Sequence, residues 1–207
     1  PFAVGVRIEH PRRMIDESQY GTAAGHPALG AADYKLHCTS PTGRGVYTFC
    51  MCPGGVVIAA ASEDGGVVVN GMSEHARDAE NSNSALLVGV DPSDFGSSDV
   101  LEGFTFQRRM EEAAFRLGGG GYRAPAQLVG DFLANRATTR AGDVKPSYLP
   151  GVTWTDLREC LPDFVVESLR GALPMLGRRL HGFDRADAVL TGVESRSSSP
   201  VRLLRDA

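Results

Sequence analysis

Two thiols stand two residues apart at the end of an apolar strand, and a Pro-Gly-Gly turn follows at once: Cys50-Met51-Cys52-Pro53-Gly54-Gly55. Of all the residues in this chain, these point most directly to chemistry. A turn of this composition brings bare backbone and sulfur to one rim, where a planar or reactive group can approach closely. On a regular strand Cys50 and Cys52 face the same side. A disulfide between them is then awkward, because same-face neighbours on a strand lie ~6.6 Å apart. As zinc ligands they need two further partners. His26, His37 and Cys38, the nearest in sequence, lack finger or ribbon spacing, so no metal site is expected. Two readings stay open: both thiols are packing inside a strand, or Cys52, just ahead of the turn, faces a cofactor or substrate.

The remaining chemistry-bearing residues give weaker signals. Gly118-Gly119-Gly120-Gly121 follows a helical segment instead of opening one, so it reads as a helix stop and linker, not a phosphate loop. No GxGxxG or GxxxxGK[ST] occurs, and the chain alone is not expected to grip a dinucleotide. No GxSxG elbow occurs, and no histidines pair at helical spacing. His10 precedes a helix and His75 lies in a polar loop; both read as surface or capping residues. Arg7, Lys145, Arg196 and Arg202 sit in or beside apolar or turn segments, where one of them can anchor a carboxylate substrate or simply guard a sheet edge. Asn70-Gly71-Met72-Ser73 reads as a turn first and a site second. No catalytic residue is identifiable.

These residues need elements to hold them. Residues 2–9 alternate Val4, Val6 and Ile8 with Arg7 and Glu9, the pattern of a half-buried strand. Residues 34–39, 46–51, 56–61, 67–69 and 86–90 read as further strands. Within residues 45–70 the glycine turns at 54–55 and 65–66 predict a three-stranded antiparallel meander, with apolar residues 56–61 as a central strand. Residues 72–83 read as loop. The second half turns helical: residues 105–117 carry Phe106, Met110, Ala113 and Leu117, and Pro125, Pro162 and Pro174 each stand where a helix can open. Thr155 reads as an N-cap. Residues 188–193 and 200–205 read as closing strands. The expected fold is α+β, an antiparallel or mixed β-sheet domain with an inserted helical lobe: residues 1–104 β-rich, 105–186 helical, and 187–207 returning to the sheet.

Composition narrows the partners. The chain has 207 residues, 42% of them hydrophobic and 22% charged, with net charge -4 and a pI near 5.7. It has no dense Lys/Arg run, which argues against nucleic acid. No stretch is apolar enough to span a bilayer, so no membrane partner is expected. Four cysteines without scaffold spacing suggest reduced thiols in a cytoplasm. Residue 1 is proline, and both ends read as strand, as expected of an insert whose ends return to a host domain. Apolar helical stripes leave room for a different reading, a non-catalytic binding or oligomerisation module.

Several segments together carry a resemblance that covers essentially the whole chain. They are Pro1 to Pro11, Tyr47 to Gly55, Asn70-Gly71-Met72-Ser73, Gln127 to Phe132, Cys160-Leu161-Pro162 and Leu190 to Arg196. They resemble bacterial flavoproteins of the FAD-dependent, NAD-utilising dehydrogenase kind, in which a substrate-side domain is inserted between two halves of an FAD-binding domain. This chain is similar to the inserted part. The GxGxxG half and the glycine-rich closing segment of the flavin site are missing from it. The resemblance implies a sheet that roofs the flavin ring, with Cys50, Cys52, Pro53, Gly54 and Gly55 near the cofactor. It implies FAD in the full-length protein but not in this chain alone, and NAD(P) as redox partner. The implied partners are the missing FAD-binding domain and a small-molecule substrate, with Arg7, Asn70, Lys145 and Arg196 as substrate-facing candidates. The expected activity is oxidoreductase chemistry that the isolated chain does not perform.

Overall fold

The computed structural model describes residues 2–97, 99 and 101–201. In chain order the main elements are β1 (Phe2–Pro11), α1 (Arg12–Tyr20), β2 (His37–Thr39), β3 (Gly45–Cys52), β4 (Val56–Ala59), β5 (Val69–Met72) and β6 (Asn81–Val90). They continue with α2 (Glu102–Leu117), β7 (Ala124–Leu128), α3 (Val129–Leu133), β8 (Val152–Trp154), α4 (Asp163–Gly177) and β9 (Val189–Glu194). Seven strands form one mixed sheet in the order β2-β3-β6-β1-β9-β7-β8, and β4 and β5 form a separate two-stranded hairpin. The architecture is α+β, as the sequence predicts.

β1 lies in the middle of the sheet, antiparallel to β6 on one side and to β9 on the other. One face carries Val4, Val6, Ile8, Leu86, Val88 and Leu190, which pack in a single core with Ile15 of α1 and with Val165, Leu169, Leu173 and Leu176 of α4. The opposite face carries Ala3, Arg7, Glu9, Ala85, Asn83 and Thr191, and it too is buried. The β4–β5 hairpin covers it, with β5 packed on β1, β6 and β9. The half-buried reading of β1 therefore needs correction. Alternation along β1 separates an apolar core from a buried polar layer, and neither face meets water.

Further expectations change. The meander over 45–70 does not form: β3 pairs with β2 and β6, while β4 pairs only with β5. The Pro53-Gly54-Gly55 turn lifts the chain out of the sheet plane, so apolar 56–61 is half of a covering hairpin, not a central strand. The inner apolar strand beside β3 is instead β6, which starts at Asn81 inside a polar run that reads as loop. In the helical half, residues 124–128 and 152–154 are strands joined in parallel, and β7 extends the main sheet beside β9. Pro174 lies inside α4 and opens no second helix. Burial of Leu173 and Leu176 continues the α4 stripe across it and outweighs one missing backbone bond. The short turn at Leu157–Glu159 is capped by Asp156, not Thr155. The glycine run does stop α2, with Gly118 as C-cap and Gly119, Gly120 and Gly121 at positive φ. Of the closing segment 200–205, residues 202–205 lie outside the described residues.

Candidate functional site

The thiol segment is not a regular strand. The register of β3 against β6 breaks between Phe49 and Cys52, and Cys50 adopts φ +44°, a left-handed conformation rare for a residue with a side chain. Cys50 is exposed, and Cys52 is only 6% exposed. The regular strand that the same-face expectation assumes is therefore absent. Both thiols, with Met51 and Pro53, nevertheless line one open cleft of about 670 Å³. Its other wall is Gly71 to Arg77, and Gly30 and Ala31 close a third side.

The glycines of this region serve close packing. A side chain at Gly54 would collide with the carbonyl of Arg77, at Gly55 with the carbonyl of Met72 and the hydroxyl of Ser73, and at Gly71 with Arg7 Nη2. Gly54 and Gly55 do not themselves line the cleft. They allow the 73–77 loop to fold against the turn and form its wall. Ser73 Oγ donates to the Pro53 carbonyl at 2.8 Å, and the Gly54 amide donates to Ser82 Oγ at 2.9 Å, fixing the turn from both sides.

Directly behind the sulfurs lies Arg7, with 0% exposure. Its Nη2 donates to the Cys50 carbonyl at 2.8 Å and to Asn83 Oδ1 at 2.6 Å, and approaches Cys52 Sγ at 3.5 Å. Its Nη1 faces Glu194 Oε2 at 3.5 Å, too long for a hydrogen bond. Both of those atoms, with Asn83 Nδ2 and Thr191 Oγ1, are buried without a hydrogen-bond partner in the protein. Burial pushes the Glu194 carboxyl up to about 7, against the pull of Arg7. The guanidinium charge is therefore only partly balanced at neutral pH. Burial also pushes the Cys52 thiol up, with Arg7 again opposing. Glu9, one turn of the pleat away, accepts from Ser147 Oγ at 2.5 Å and Asn81 Nδ2 at 3.1 Å, and burial raises its carboxyl too.

The other sequence candidates scatter. Asn70 Oδ1 accepts from the Gly71 amide and shapes the hairpin end. Lys145 is exposed, and its carbonyl accepts from Asn81. Arg196 is held by Glu111 at 2.8 Å and Glu63 at 3.4 Å. None of these three lines the thiol cleft, and Arg202 lies outside the described residues. His10 is no surface residue: it is fully buried, donates from Nε2 to the Phe183 carbonyl at 2.7 Å, and burial lowers it to about 4. Glu194, Asn83 and the cleft wall at Glu74 and His75 carry no sequence signal of their own. The one hint is a polar run, Asn81-Ser82-Asn83-Ser84, leading straight into an apolar strand. A larger cleft of about 1000 Å³ lies beside α3. Two of its carboxylates are already paired, Asp131 with Arg136 at 2.6 Å and Asp187 with Arg185 at 2.5 Å.

Fold and cleft thus define an α+β domain with a thiol-lined opening over a buried guanidinium. A model of the family described as FAD-dependent protein, C-terminal domain-like, matches residues 1–197, and the chain belongs to that family. It is also 56% identical over 207 residues to a protein of Clostridium beijerinckii described as uncharacterized, a match covering 100% of this chain and 39% of that relative. The chain thus spans well under half the length of that relative. Family membership makes it a domain of an FAD-dependent protein. For such a group, the cleft offers an open wall of sulfur, proline and glycine backbone suited to a flat ring. The described residues offer no glycine loop between strand and helix to cradle a pyrophosphate. No helix among them is long and apolar enough to cross a membrane.

Proposed function

We propose that this chain is the substrate-side domain of an FAD-dependent oxidoreductase of the dehydrogenase type, with the Cys50–Pro53 cleft turned toward the flavin ring and a small-molecule substrate. The FAD-binding domain then belongs to the same polypeptide, and NAD(P) is the natural redox partner. A bound flavin supplies two-electron chemistry; the protein supplies orientation, shielding and charge. Cys50, Met51, Cys52 and Pro53 form one wall against the ring, and the 73–77 loop excludes water from the other side. Gly54 and Gly55 act by holding that wall in place. Arg7 acts through the wall instead of touching the substrate. One observation carries this reading: a wholly buried guanidinium stands immediately behind the open cleft, donating to the Cys50 carbonyl and approaching Cys52 Sγ, where its field favours an electron-rich group.

The oligomerisation reading is less favoured, because the helical stripes face the core: Phe106 and Met110 of α2 and Leu169, Leu173 and Leu176 of α4 are buried, and Ala113 and Leu117 pack against it partly buried. The test of the favoured reading is colour. The isolated chain, mixed with excess FAD and desalted, is expected to be colourless and without dehydrogenase activity. A polypeptide that also carries the region matched by the remainder of the longer relative is expected to retain FAD. Stoichiometric flavin on the isolated chain overturns the division of labour proposed here.

A further inference from the structure

The objection to a Cys50–Cys52 bond assumes a regular strand, and at this point the strand is not regular. The register break leaves residues 50 and 51 outside the β3–β6 ladder. With Cys50 at φ +44°, its side chain leaves the direction it would take on a regular strand, and the two thiols lie close enough to act on each other. Cys52 Sγ already turns back toward residue 50, donating to its carbonyl at 3.3 Å. A left-handed cysteine costs of order 1–2 kcal/mol, and strain of that kind gathers at working sites.

We propose that Cys50 and Cys52 are a redox-active dithiol that exchanges with low-molecular-weight disulfides entering the cleft, Cys50 attacking and Cys52 resolving. The division of roles follows from exposure. Cys50 is open to solvent at the cleft, whereas Cys52 is nearly buried against Arg7. In the first step the Cys50 thiolate attacks one sulfur of the small disulfide. A Cys50 mixed disulfide forms and one small thiolate leaves. In the second step Cys52 gives up its proton to solvent and attacks the Cys50 sulfur, forming the Cys50–Cys52 bond and releasing the second small thiolate. Two protein thiols are oxidised, and one small disulfide is reduced to two thiols. The guanidinium 3.5 Å from Cys52 Sγ favours the thiolate required in the second step. The neighbouring Cys50 and burial work against it, which makes Cys52 a poor attacking group and suits it to resolution at short range. Cys38 and Cys160 are buried and stand apart from this pair. The inference does not rest on the flavin reading, since every participating group belongs to this chain.

Oxidised glutathione is a suitable probe. Reduced protein exposed to it in excess is expected to lose two thiols per chain without keeping an adduct, and peptide mapping is expected to place the new bond between Cys50 and Cys52. Cys52→Ser is expected to trap a lasting glutathione adduct on Cys50, with Cys52→Ala as the second variant should serine disturb the buried position. Cys50→Ser is expected to react roughly tenfold more slowly or worse, since only buried thiols are left. A stable glutathione adduct on Cys50 in the wild-type protein overturns the proposal. So does recovery of both thiols, or a bond that involves Cys38, Cys160 or a second chain.

Discussion

At the scale of single residues, the buried polar layer makes opposite pH demands. Glu194 is raised from 4.5 to about 7, so its contribution to stability is fully present below pH 4.5 and is lost as pH rises toward 7. His10 is lowered from 6.5 to about 4, so its contribution is present above pH 6.5 and is lost as pH falls through 4. Each amounts to roughly 3 kcal/mol over its window. Between pH 4.5 and 6.5 they oppose each other, and burial of Glu9 adds to the Glu194 side. The wild-type protein is expected to show a shallow stability profile there by urea titration. Glu194→Gln removes one side and is expected to gain stability as pH rises from 4 to 6.5; a profile parallel to the wild type contradicts this account. Arg7→Met leaves Glu194 and Asn83 facing nothing and is expected to cost about 3–5 kcal/mol. The double variant Arg7→Met, Glu194→Leu is expected to recover part of that loss, because the carboxyl that faced Arg7 leaves with it.

At the scale of elements, the β4–β5 hairpin is the lid over this layer, and Gly71 is its contact point. A methyl group at Gly71 meets Arg7 Nη2 and Asn83 Oδ1, both fixed by mutual hydrogen bonds. Gly71→Ala is expected to lower Tm by roughly 3–10 °C, from about 1–3 kcal/mol of overpacking. It is also expected to speed the reaction of Cys52 with thiol reagents in a Cys50→Ser background. Unchanged Tm and reactivity count against the hairpin as lid. The hairpin also shows where sequence reasoning stops. Its first strand and its Gly65-Gly66 turn are legible from β-branched residues and glycine placement, but its second strand is Val69–Met72, where Asn70 to Ser73 read as a turn. Its detachment from β3 is not legible, because Pro53-Gly54-Gly55 specifies a change of direction without saying whether the next strand pairs or crosses over. β1 shows the same limit. Its alternation is plain in the sequence, but a strand that separates two buried layers has the same period as one half in water. Helix α4 is legible up to Pro174, and packing alone decides that it continues.

At the scale of the whole molecule, four separated parts of the chain meet at one site: β1 brings Arg7, the bulge of β3 brings the thiols, the loop after β5 brings the outer wall, and β9 brings Glu194. The thiol–turn segment was visible in the sequence as the place for chemistry, since sulfur beside Pro-Gly-Gly is locally unusual. The carboxylate that leaves Arg7 under-compensated was not, because only the pairing of Gly5 with Glu194 brings it there. The central claim is that this cleft faces the flavin. Its most direct test is maleimide alkylation of Cys50 in the longer, flavin-loaded polypeptide, followed by the visible flavin spectrum and the rate of flavin reduction. The account predicts a shift of the flavin bands and slowed reduction in proportion to labelling. A fully labelled protein with an unchanged spectrum and unchanged rate contradicts it.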